Sequence, residues 1–396
     1  MFMNNSQRSK RKKKSKGGDA SRRDKKNKTG GMEKSLRKKK GKKNEQSERG
    51  KRKGKVSCTA SRDTTGTGGT TGSGPDIGLL IDGEGCSKME RKAKAKEKEK
   101  EQWSGEETAK KMMASGAFDT ATITNAFKEI KNDKPALVSC NLFKNNLPKI
   151  RAPDFPIPDD KLIKLTHAPE NFICASKITI PDFNQSVVVT QIPDVSVTQN
   201  VEDFWRMIFQ EKIHSIVIAV MPLECSVTLQ QLFPILSSTF ANHGKMFLNN
   251  KKVESAVGMT AYSLEILPDG CSNSHFTTLY HIHNWKQKRG LDNVGDLVST
   301  IEKVLKANEN AAFMSMYGTG RAGTMLALFT SMLQVCKGKE ANLKEIVEQL
   351  RSERCGLVDN AEQFATVYRA MALWFKNKSQ DEEIQKKVNE FAPCVQ

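Results

Sequence analysis

The run Phe313 to Thr324, F-M-S-M-Y-G-T-G-R-A-G-T, constrains this chain more than any other stretch. Gly318, Gly320 and Gly323 let the backbone turn with its N–H groups pointing inward. The helical spacing of Met325, Leu326, Leu328, Phe329 and Met332 then sets a helix N-terminus directly behind them. Arg321 can close such a ring with a planar two-pronged grip on an oxyanion. The candidate phosphate-binding residues are therefore Ser315, Met316, Tyr317, Gly318, Thr319, Gly320 and Arg321. The glycines alone also fit an ordinary tight turn.

Ser315 stands six residues before Arg321. The run resembles the H-C-S-A-G-x-G-R-[ST]-G signature of the tyrosine-specific protein phosphatases, with Ser at the place of that family's nucleophilic Cys. Gln191-Ile192-Pro193 and Asn200 to Met207 are similar to its T-Q-x-P and T-V-x-D-F-W-R-M segments, and Phe172-Ile173-Cys174-Ala175-Ser176 to its Y-I-N-A-S strand. Leu350-Arg351 with Arg354, Gly356 and Leu357, then Glu362-Gln363-Phe364, resembles the L-R-x-x-R-x-G-x-V-Q-T-x-x-Q-Y region. These blocks span residues 116–378, and the resemblance implies an α/β (α+β) fold: a highly twisted mixed sheet flanked by helices.

That family attacks phosphorus with a Cys thiolate, held at low pKa by the loop dipoles, an adjacent His and a hydroxyl. Here Ser315 is an alcohol, Met314 replaces the His and Ala322 the hydroxyl. The family's mobile loop, x-x-W-P-D-x-G, supplies a general acid. Its counterpart is His283-Asn284-Trp285-Lys286-Gln287-Lys288-Arg289-Gly290, with Gln287 at the acid position, so help worth about 10²- to 10⁴-fold is missing. Asp359 aligns with the first water-positioning Gln and Gln363 with the second; an added carboxylate facing a dianion is unfavourable. Lys144-Asn145-Asn146-Leu147 resembles K-N-R-Y, and Leu147 cannot stack a phosphotyrosine ring as Tyr would.

Changes at four stations of one mechanism lead to an expectation of a catalytically inactive, phosphatase-like adaptor for a protein partner, with phosphotyrosine as one route of recognition. In that reading Ser315, Gln287 and Asp359 are vestiges of catalytic positions. The pattern is similar to divergent phosphatase-like proteins expanded in nematodes, some of which are inactive adaptors for kinases. A structural scaffold whose pocket is filled by Tyr317, and an active phosphatase, stand as alternatives. No cofactor is implied. His275, His281 and His283 lack a Cys or carboxylate to complete a metal site.

The formal charge of +19 lies entirely in residues 1–55, which hold 24 of the 64 basic and 5 of the 45 acidic side chains. The rest is balanced, so the basic character describes a tail rather than a binding face. Blocks such as Arg11-Lys12-Lys13-Lys14 among few apolar residues predict a disordered tail over 1–63 that can contact anionic lipid or nucleic acid, or serve nuclear import. Residues 64–115 read as a flexible linker and charged helical spacer, 116–378 as the phosphatase-like domain and 379–396 as a C-terminal tail. Nine scattered Cys without a C-x-x-C pair, no apolar run of ~20 residues and no secretory leader point to an intracellular protein, cytoplasmic or nuclear.

Local pattern places helices over Phe118 to Ile130, Val294 to Asn308, Thr324 to Cys336, Leu343 to Arg351 and Asn360 to Phe375. The β-branched run Ile213 to Val220 reads as a buried strand. Ala261 to Leu267 and Phe276 to Ile282 read as a hairpin around Pro268-Asp269-Gly270.

Overall fold

The computed structural model of the chain describes residues 103–166, 172–222, 224 and 228–391. The basic tail, most of the linker and spacer and the last five residues of the C-terminal tail lie outside the described residues.

Nine strands make one mixed sheet: β1 (Leu162–Lys164), β2 (Phe172–Ile178), β3 (Val187–Gln191), β4 (Ser215–Ala219), β5 (Thr239–His243), β6 (Met246–Ser255), β7 (Met259–Pro268), β8 (His275–Ile282) and β9 (Ala311–Ser315). Their spatial order is β1-β2-β3-β9-β4-β8-β7-β6-β5. The four central strands β3, β9, β4 and β8 run parallel, and both flanks are antiparallel. V-V-V-T-Q, S-I-V-I-A and A-A-F-M-S are buried at every position, as strands covered on both faces must be. In the expected hairpin, β7 and β8 are joined through Gly270, whose φ of 78° only glycine adopts without strain.

The helices are α1 (Glu106–Ala114), α2 (Thr120–Glu129), α3 (Asn141–Asn145), α4 (Thr198–Gln210), α5 (Gly295–Ala307), α6 (Gly320–Cys336), α7 (Leu343–Glu353), α8 (Ala361–Lys378) and α9 (Glu382–Phe391). Alternation along β9 divides the interior in two. Ala311 and Phe313 face the larger core with Met325, Leu326, Phe329 and Trp374, while Ala312 and Met314 face a second core with Phe204, Trp205 and Ile208 of α4. Helix α6 runs through the larger core. Its buried hydroxyls, Thr324, Thr330 and Ser331, are satisfied by carbonyls four residues back at 2.7–3.0 Å.

The folded body reaches beyond both boundaries read from sequence, 116 and 378. Ala109, Met112 and Met113 of α1 and Ile384, Val388 and Phe391 of α9 all belong to the larger core. Trp103 meets Trp374 edge-on at 4.9 Å, and Lys110 pairs with Asp381 at 2.8 Å. Charged residues fill the outer faces of these helices and mask a narrow apolar stripe.

Candidate functional site

β9 ends at Ser315, in register with Gln191 of β3 and Ala219 of β4, so the glycine loop emerges at the carboxyl ends of the parallel strands. Gly318 has a φ of 62°, and a Cβ there would stand 2.6 Å from the Gln191 nitrogen. Arg354 holds this turn: its Nε donates to the Gly318 carbonyl at 3.0 Å and its Nη1 to Ser176 Oγ at 2.7 Å. The Ser315 carbonyl accepts from Ile192 N at 3.0 Å. Carbonyls of the loop are thus engaged, whereas the amides of Tyr317 and Thr319 donate to no acceptor among the described residues. These free donors sit beside the N-terminus of α6, the arrangement expected of an anion cradle.

Arg321 is 3% exposed, and its guanidinium is already gripped. Its Nη1 donates to Glu224 Oε2 at 2.9 Å and to the Trp285 carbonyl at 2.7 Å, and its Nη2 donates to Glu224 Oε1. Glu224 was not singled out from sequence. A buried guanidinium demands a counterion, but nothing local to Met221-Pro222-Leu223-Glu224 tells which carboxylate provides it.

The loop matched to the mobile acid loop is docked at several points. Trp285 is fully buried and its Nε1 donates to the Arg289 carbonyl at 2.8 Å. Arg289 pairs with Glu362 at 3.0 Å, and Asn360 Nδ2 donates to the Lys288 carbonyl at 2.9 Å. Gln287 and Lys288 line a cleft of about 350 Å³ whose floor includes Ser315 and Arg321.

Asp359 and Gln363 close another side of the cleft. The Asp359 amide donates to Gln363 Oε1 at 2.9 Å, and a Cβ added to Gly320 would lie 3.0 Å from the Asp359 Cβ. Tyr317 packs partly on the second core and forms wall rather than plug, so the cleft is open down to Ser315. Met316 turns its side chain fully into that core and has only its backbone to offer. Leu147 is 48% exposed and does not line the cleft; the wall on this side is built by Arg151 to Phe155 instead.

No hydrogen bond to Ser315 Oγ occurs among the described residues. His281 is occupied elsewhere, its Nε2 lying 2.7 Å from the Val220 carbonyl, and burial pushes its pKa down to about 4, so the ring is neutral. No group of three or more His, Cys, Asp or Glu side chains suited to a metal exists among the described residues. Nor is any helix there long and apolar enough to cross a membrane.

Residues 146–373 match the protein-tyrosine phosphatase family. The chain belongs to that family. It is 64% identical over 294 residues to a Caenorhabditis elegans protein named "Putative tyrosine-protein phosphatase", covering 74% of this chain and 73% of that one. A second nematode protein of that description is 25% identical, covering 67% of this chain and 64% of the relative. The tyrosine-protein phosphatase non-receptor type 2 of Rattus norvegicus is 26% identical, covering 67% and 65%. The matched span contains the glycine loop, the loop bearing Trp285, and Ser315, Gln287, Asp359 and Leu147.

Proposed function

We propose that this protein is a non-hydrolysing member of the tyrosine phosphatase family that binds a protein partner, with its glycine loop as an oxyanion receptor. The observation that carries this reading is the pairing of Ser315 with Gln287 across one cleft. Neither side chain exchanges a proton near neutral pH, and no base is hydrogen-bonded to Ser315 Oγ among the described residues. A thiolate mechanism needs a nucleophile and a proton donor, and this cleft supplies neither. Amide donors and a guanidinium bind an oxyanion without either.

Two measurements test the reading. Purified protein releases no phosphate from p-nitrophenyl phosphate or phosphotyrosine peptides above a blank, and Ser315→Ala behaves as the parent; a rate that vanishes in Ser315→Ala would establish an enzyme. Calorimetry with a phosphotyrosine peptide gives binding that Arg321→Lys abolishes, since lysine keeps a cation beside Glu224 but loses the fork. The engagement of Arg321 by Glu224 favours a second reading, a scaffold that binds no anion, and absence of heat in the parent would select it. For the basic tail we propose a localising role, tested by the distribution of a fusion lacking residues 1–55; an unchanged distribution removes that role.

A further inference from the structure

The side of the cleft next to the cradle carries a carboxylate that no hydrogen bond or close ion pair holds, with the buried guanidinium of Arg351 acting on it only from farther off. Asp359 follows Val358, whose φ of 60° is rare for a β-branched residue. Arg351 holds this kink, its Nε donating to the Leu357 carbonyl at 2.8 Å and its Nη2 to the Val358 carbonyl at 2.6 Å. The kink and the bond from the Asp359 amide to Gln363 fix the Asp359 Cβ beside Gly320, the first residue of α6 and a member of the cradle. The carboxylate itself is exposed and takes no hydrogen bond or ion pair among the described residues. The cradle's own cation is offset: Arg321 faces Glu224. Of the other charged groups lining the cleft, Arg151 and Lys288 are matched in number by Asp154 and Asp359.

We propose that Asp359 is a charge filter, which lowers the cradle's affinity for doubly charged oxyanions more than for singly charged ones. The ligand class is then a singly charged tetrahedral oxyanion, such as an aryl phosphate in its hydrogen-phosphate form. This rests on the reading of the cradle as an oxyanion receptor. The Coulomb energy between Asp359 and a bound ion scales with the ion's charge, so the penalty on a dianion is twice that on a monoanion, and its fold-effect is the square. At a separation of about 6 Å with water-like screening, the dianion loses about tenfold in affinity and the monoanion about threefold. Every other charged group at the cleft is common to parent and variant and cancels in the comparison.

Tungstate and perrhenate are tetrahedral ions of nearly one size that carry two charges and one. Their dissociation constants are measured by calorimetry at fixed low ionic strength for the full chain, Asp359→Gln, Asp359→Asn and Arg321→Lys, each checked for the parent's unfolding curve. Asp359→Gln and Asp359→Asn tighten tungstate about tenfold and perrhenate about threefold, and Arg321→Lys weakens both ions. Equal tightening of the two ions, or none, while Arg321→Lys still weakens both, overturns the filter and leaves the receptor standing. Binding indifferent to Arg321→Lys, or absent from every variant, overturns the receptor, and the filter falls with it.

Discussion

Truncating Glu224 to Ala strands the guanidinium of Arg321, which is 3% exposed against 9% for its partner. Removing one member of a buried ion pair costs about 3–5 kcal/mol, because the remaining charge stays desolvated without compensation. Here the Trp285 carbonyl still accepts one N–H at 2.7 Å, which places Glu224→Ala at the low end, about 3 kcal/mol. Glu224→Gln keeps an acceptor and costs about 1–2 kcal/mol. Against the 5–15 kcal/mol typical of a folded domain, either loss moves a urea midpoint well beyond error. A bound oxyanion would replace the lost carboxylate, so tungstate stabilises Glu224→Ala more than the parent. At one hundred times its dissociation constant, tungstate contributes about 2.7 kcal/mol. Combining Glu224→Ala with Arg321→Met, which removes the stranded charge, recovers most of the loss. A Glu224→Ala midpoint indistinguishable from the parent's, or a double variant no more stable than the single one, refutes the argument that this pair is buried and mutually dependent.

Ser315→Cys places a thiol against the cradle's free amides and Arg321, so its pKa falls below the ordinary ~8.5 and iodoacetate alkylates position 315 at pH 6.5, while steady-state phosphate release stays at the blank because Gln287 donates no proton; sluggish alkylation, matching that of exposed Cys271, counts against a cradle at this loop. Gly323→Ala pushes a Cβ to 2.5 Å from the Val358 nitrogen and 2.8 Å from the Leu357 Cα, backbone atoms that cannot turn aside, so stability drops by about 1–3 kcal/mol; an unchanged melting temperature contradicts this approach. His281 takes up a proton near 6.5 when unfolded but only at about 4 when folded. The unfolded state therefore binds the extra proton in that window: this group's effect is absent above pH 6.5, and roughly 3 kcal/mol is lost as pH falls from 6.5 to 4. Urea unfolding at pH 7, 5.5 and 4.5 shows this decline, and a decline of equal size in His281→Phe assigns it to other groups.

Elements whose burial is written in local pattern were legible from the residues. The run at Ile213 to Val220 contains β4, and the hairpin about Gly270 lies where alternating residues flank Pro268-Asp269-Gly270. Helix α6 begins at Gly320 rather than Thr324, because the two intervening glycines serve close packing inside a helix and not only a turn: Gly323 faces the Val358 backbone. Helices α1 and α9 look like spacer and tail in sequence because charge is dense along them and the apolar stripe, Ala109, Met112 and Met113 in one and Ile384, Val388 and Phe391 in the other, is narrow. In the site, residues within one continuous motif were found, and the structure brings Ser315, Arg321, Gln287 and Asp359 to one cleft. Glu224 was missed because it is joined to Arg321 across 97 residues. Leu147, whose segment resembles the family's ring-stacking K-N-R-Y, does not line the cleft, and Arg151 to Phe155 take the wall there.

The groups that shape the cradle and those that would react in it are different groups. Arg354, Gly318, Gly323 and the Ile192 amide bond or pack against backbone, and their loss would cost stability whatever the cleft binds. A well-formed glycine loop therefore does not by itself argue for a ligand. The stronger argument comes from donors the fold leaves over. Buried amides without acceptors cost about 1–3 kcal/mol each, so a loop serving only as scaffold gains by pairing them internally or by letting a side chain fill the space. Tyr317, the residue best placed to do so, packs partly on the second core instead, and the free amides of Tyr317 and Thr319 stay beside an open cleft. With Arg321 balanced by Glu224 and Asp359 added at the rim, those amides would favour modest negative charge, which is what the proposed receptor, unlike a site built to stabilise a phosphoryl-transfer transition state, requires.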